Sequence, residues 1–105
     1  MVEAGVVYQI TAIVRDDLRA SYEAYMFDHH IPDVIATGAF VRAAIGRAID
    51  GRYRIAYHAT SRAALDHYLA TDAPRLRQDF QAHFPTGVSL TREEWEILRV
   101  WDERP

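Results

Sequence analysis

Residues 39–60, AFVRAAIGRAIDGRYRIAYHAT, decide the fold. Asp50-Gly51 is a turn dipeptide of the kind that joins antiparallel strands, because glycine takes a positive φ without a Cβ clash. The flanking runs predict strands over residues 39–49 and 52–60. In the second, Tyr53, Ile55, Tyr57 and Ala59 share one face, while Arg52, Arg54, Ala56, His58 and Thr60 share the other.

Upstream, residues 6–15 (VVYQITAIVR) are rich in β-branched side chains and predict a first strand. Val6, Tyr8, Ile10, Ala12 and Val14 form its apolar face, and the other face is mixed. Asp16-Asp17 suits a helix start, where carboxylates cap free N–H groups. Leu18, Tyr22, Tyr25, Met26 and His29 recur at helical spacing, so His29 should point toward the sheet. Pro32 should end or bend this helix near His30, with a short extra turn over residues 33–37 that stops at Gly38. His30 then falls at a helix end, where its ring could serve the free carbonyls.

Downstream, Ser61 can cap a second helix with Ala64, Leu65, Tyr68 and Leu69 inward. Residues 71–74 (TDAP) read as a break and restart, and Leu76, Phe80, His83 and Phe84 carry the next stripe. After Pro85-Thr86-Gly87, residues 88–101 hold the last strand. There Thr91, Trp95 and Ile97 alternate against Arg92, Glu94, Glu96 and Leu98. The order is βαββαβ. Right-handed crossovers then give a ferredoxin-like α+β fold, a four-stranded antiparallel sheet with helices on one face. The face without helices, bearing Val7, Ile13, Ala56, Val41 and Ile45, wants a cover, and a second copy is the simplest.

The chain of 105 residues suits one domain. It has no Cys, which excludes disulfides, thiolate zinc sites, iron–sulfur clusters and thiol nucleophiles. It has no Lys, all twelve basic residues being Arg, so lysine Schiff-base chemistry is excluded too. Asn is also absent, which removes any N-glycosylation acceptor. The formal net charge of −3 argues against a nucleic-acid partner. No run is apolar enough for a membrane span, and residues 1–4 show no signal-peptide character, so a cytoplasmic location is expected. No nucleophile elbow, P-loop or dinucleotide fingerprint is present.

The run over residues 30–40, HIPDVIATGAF, resembles a bacterial domain-of-unknown-function family in the dimeric α/β-barrel superfamily. The pattern is HIP-x-V-x-ATG-x-F. Residues 73–78 with Phe84, residues 53–57, and Arg92 agree with further stretches of that family. Its members often carry an acidic residue where this chain has His29, and His where it has Asp72. The resemblance implies the ferredoxin-like fold and a homodimer, and no established activity. Relatives in the superfamily include cofactor-free monooxygenases, polyketide cyclases and haem proteins, an analogy of fold alone.

The candidate chemistry is polar side chains on apolar elements. His29 or His58 would be a general base, and Arg54 would hold an oxyanion. Gln9 and Thr11 should lie beside Arg54 and His58, since strands one and three are expected to be central neighbours. Glu94 and Glu96 could partner Arg54. Tyr25, His30 and Arg92 complete the expected ligand contacts. The same polar cluster could equally be a hydrogen-bonded patch in a dimer seam. His83 reads as a core histidine and His67 as solvated. Asp28, His29, His30 and Asp33 are close in sequence, but Pro32 disrupts the spacing a metal needs. No cofactor is expected. The resulting function is a cofactor-independent small-molecule enzyme with a cavity between sheet and helices, or a non-catalytic ligand-binding or structural dimer. An RNA-binding reading of the same βαββαβ order fails on charge and on a misplaced glycine.

Overall fold

The computed structural model describes residues 5–102; residues 1–4, on which the reading of the N-terminus rests, lie outside them. Four strands, β1 (Val6–Val14), β2 (Phe40–Arg47), β3 (Arg52–Ala59) and β4 (Val88–Glu96), form one antiparallel sheet in the order β2-β3-β1-β4. Between β1 and β2 run a 3-10 turn (Asp16–Leu18), α1 (Arg19–Tyr25), a π-helical turn (Met26–His30) and α2 (Ile31–Ala36). Between β3 and β4 lie α3 (Arg62–Thr71) and α4 (Ala73–His83). This is the expected ferredoxin-like α+β arrangement.

The local signals act as their chemistry dictates. Gly51 takes φ +85° in the β2–β3 turn, where its N–H bonds the Ala48 carbonyl at 2.9 Å. The Ser61 hydroxyl accepts from the Ala64 N–H at 3.1 Å and starts α3. Asp16 and Asp17 do not cap; they pair with Arg19 and Arg15 instead.

The core lies between the helices and one face of the sheet. Val6, Tyr8, Ala12 and Val14 meet Tyr53, Ile55, Tyr57 and Ala59 there, and Tyr22, Leu65, Leu76 and Phe80 cover them. Leu65 is completely buried, and burying a leucine contributes about 1.5–3 kcal/mol. Aromatic contacts knit the layers, with Tyr22 and Tyr53 centroids 4.9 Å apart and Phe40 and Tyr68 also 4.9 Å apart.

Two single-residue irregularities correct the expected phases. In β2, Phe40 pairs with Ala59 but Arg42 pairs with His58, leaving Val41 as a bulge. The extra residue inverts the alternation along the rest of the strand, so Ile45 sits opposite the buried Ile55 on the covered face, not on the open one. In the first helical stretch, the Ile31 N–H reaches back five residues to the Met26 carbonyl. The wider turn admits Pro32, which lacks an N–H, as the second residue of α2. The helix therefore does not end at His30; it continues to Ala36, and Gly38, at φ +81°, comes just after its end.

Candidate functional site

A cavity of about 370 Å³ opens between the covered face of the sheet and the helices. Ile10, Ile55, Met26, Phe80, Phe84 and Leu90 are among its apolar walls. Three elements contribute polar side chains to its lining: Tyr22 from α1, His30 from the π turn and Tyr57 from β3. The Tyr22 hydroxyl, the Tyr57 hydroxyl and His30 Nδ1 are all buried and have no hydrogen-bond partner among the described residues. Buried polar groups in folded proteins are nearly always paired, because leaving one unmade costs about 1–3 kcal/mol. The three residues that carry these atoms all line the same cavity, which makes it the candidate site.

Burial sets the protonation states. It pushes the Tyr22 and Tyr57 phenols far above their ordinary values, Tyr57 with help from Tyr68, Tyr22 and Tyr8 nearby. Burial pushes the His30 imidazole below 6.5; Asp79 and Asp33 oppose that shift and Arg92 adds to it. The cavity lining thus carries a neutral imidazole and two neutral phenols at pH 7. Tyr25 stands behind His30. Its hydroxyl donates to Asp79 of α4 at 2.6 Å, and its ring lies 5.8 Å from His30 and 4.3 Å from His83. Phe80 lies 5.5 Å from the His30 ring and 6.0 Å from the Tyr25 ring, so the three rings form one cluster. Arg77 and Arg92 also line the cavity, and Arg77 donates to the Tyr8 hydroxyl at 2.8 Å.

The expected site residues separate onto two sides of the sheet. His30 and Arg92 line the cavity, with Tyr25 supporting His30. Gln9, Thr11, Arg54 and His58 lie together on the open face, where Thr11 pairs with Arg54 and Val7 with His58. Arg54 is exposed there, and Glu94 is not its partner: Glu94 sits opposite Tyr8 on the covered side and pairs with Arg62. Glu96 likewise lies opposite Val6, on the covered side. Burial and neighbouring Arg42 lower the His58 pKa. His29 is exposed, because the π turn hands the inward position to His30. His83 is exposed as well, its Nδ1 3.0 Å from the Asp79 carbonyl. Tyr22, Tyr57 and Arg77 were not expected at a site. The available signal was phenols at wholly apolar positions, where phenylalanine would pack as well. Among the described residues no three His, Cys, Asp or Glu side chains gather as a metal site requires, and no helix is long and apolar enough to cross a membrane.

A family model described as domain of unknown function DUF4286 matches residues 5–98. No curated protein matches the chain. Among solved structures, the cofactor-independent oxygenase SnoaB from Streptomyces nogalater superposes with TM-score 0.72 at 16% identity, covering 95% of this chain and 100% of that one. A dimeric ferredoxin-like protein from an uncultured marine organism gives TM-score 0.62 at 13% identity, over 94% and 100% of the two chains. A Deinococcus radiodurans protein assigned to antibiotic biosynthesis monooxygenases gives 0.65 at 15%, over 95% and 99%. At such identities the likeness is one of fold.

Proposed function

The chain belongs to that DUF4286 family, and from this premise we propose a small-molecule enzyme that needs no tightly held cofactor, with the sheet–helix cavity as its site. The observation that carries the reading is that three residues lining one cavity each hold a buried polar atom with no hydrogen-bond partner among the described residues. The volume falls in the range of about 300–1,000 Å³ usual for ligand pockets. His30 is the base of this reading: a neutral imidazole can accept a proton from an acidic O–H or C–H, and Tyr22 and Tyr57 can donate to the oxygen on which charge then develops. The resemblance in fold to a cofactor-independent oxygenase supports that chemistry by analogy. Oxygenation without a cofactor requires a substrate whose anion can itself reduce dioxygen.

A suitable probe is 1,8-dihydroxyanthrone, whose ring carbonyl acidifies the opposite CH₂. Loss of a proton and reaction with one O₂ gives 1,8-dihydroxyanthraquinone and one water. The expected result is quinone formation above the buffer rate, falling about hundredfold in His30→Ala. A rate equal to autoxidation, unchanged by His30→Ala, would overturn the enzymatic reading in favour of a binding role. That second reading has its own support, since no carboxylate or carbonyl orients His30 Nδ1 as a third group usually orients a base.

The open face of the sheet is the proposed seam of a homodimer. Ile13 is 58% and Trp95 52% exposed there, beside Val7 and Ala56. Light scattering at micromolar concentration should give twice the chain mass, and a clean monomer would contradict it.

A further inference from the structure

We infer that the guest of this cavity is an anion, a flat aromatic acid whose carboxylate sits at Arg92 and Arg77 while its ring lies among Phe80, Phe84 and Met26. The inference rests on the cavity being the functional site and goes further by naming what it selects.

The argument is one of charge. Two guanidiniums line the cavity, and among the described residues no Asp or Glu does. Elsewhere six arginines, Arg15, Arg19, Arg47, Arg52, Arg62 and Arg75, each pair with a carboxylate, while Arg42, Arg54 and Arg99 are exposed to water and line no part of this cavity. Arg77 reaches only the Tyr8 phenol, and Arg92 makes no ion pair or hydrogen bond among the described residues. In a chain with more acids than bases, two uncommitted cations at one cavity are a selective feature, since a planar guanidinium matches a carboxylate in two-point geometry. Arg92 is also close enough to bear on His30, so a carboxylate at Arg92 would place the rest of a small ligand near the histidine. The walls favour an aromatic body: Phe80 and Phe84 have centroids 5.4 Å apart, and Met26 adds a polarizable thioether. The unpartnered phenols of Tyr22 and Tyr57 are then left for a hydroxyl or carbonyl on the ring.

Two isosteric probes separate charge from shape: 6-hydroxy-2-naphthoate and its amide, 6-hydroxy-2-naphthamide. By calorimetry the acid should bind at least about tenfold tighter than the amide, with the advantage shrinking as salt rises. Arg92→Gln should erase most of that preference while leaving amide binding within about twofold, and Arg77→Gln should reduce it less, because its guanidinium is already shared with Tyr8. Both variants replace exposed side chains, and thermal melts confirm their folding. Equal affinity for acid and amide, or a preference that survives both substitutions, would overturn the anionic class and leave the cavity reading standing. Tyr57→Phe should weaken acid and amide alike. Absence of binding by either probe at millimolar concentration would overturn the cavity reading and this inference together.

Discussion

The two faces of the sheet carry similar chemistry under opposite conditions. The open face holds Arg54, His58, Gln9 and Thr11, side chains that water can reach in the single chain. The covered face holds Tyr57, with Tyr22 and His30 packed over it, and their polar atoms are shut away from water and unpaired. A polar group in water is already satisfied and demands nothing of its neighbours. A polar group taken out of water and left unpaired is a standing energetic deficit, which is what singles out the covered face as the candidate site. Residue type alone pointed to the open face. Desolvation points to the covered one.

The largest test of the contrast uses two adjacent residues of β2. Phe40 is buried against Tyr8, Tyr57 and Tyr68, whereas Val41, at the bulge, is 67% exposed. Phe40→Ala should cost about 3–5 kcal/mol in denaturant unfolding, and Val41→Ala within about 0.5 kcal/mol. Similar costs for both would mean the bulge is misplaced.

A finer test compares two tyrosines of β3 on the same covered face. The Tyr53 hydroxyl donates to Glu23, which also accepts from Arg47. Tyr53→Phe should destabilise by about 1.5–3 kcal/mol, as for a hydrogen bond to a charged group. Tyr57→Phe removes an unpaired hydroxyl and should raise the melting temperature of the ligand-free protein, by about 1 kcal/mol equivalent. A loss in both would show that Tyr57 already has a partner.

The smallest effect is in pH. Burial lowers the His30 pKa in the fold below its ordinary 6.5, so the unfolded chain binds the proton more readily. Stability from this site is complete above about pH 6.5 and drains away as pH falls through the folded value. His58 is lowered too and acts in the same direction. Between about pH 7.5 and 5.5, the wild-type melting temperature should therefore fall more than that of His30→Gln. Parallel curves would place the His30 imidazole in water.

The fold was legible because its punctuation is chemical. Asp50-Gly51, Ser61, Ala73-Pro74 and Gly87 bound their elements through φ preference, capping and proline geometry, all local properties. The site was less legible because inward and outward were assigned by counting, and counting presumes a constant period. At Val41 and across Met26–His30 the backbone holds one residue more than the period allows. Ile45 was therefore assigned to the open face, and His29 was assigned the inward position that His30 takes. Tyr22 and Tyr57 were read as packing groups, correctly as to burial. That their hydroxyls lack partners depends on what the other elements fail to bring, which no single stretch of sequence contains.

The π turn also bears on how such a protein could diversify. Successive residues of a helix stand about 100° apart around its axis, so a turn with one residue too many acts as a rotary offset for every later residue of the helix. Loss of that residue would let an ordinary α-helical turn resume and bring a different side chain round to the cavity, with neither histidine replaced. For this fold, a change of chain length at residues 26–30 changes which side chain faces the cavity.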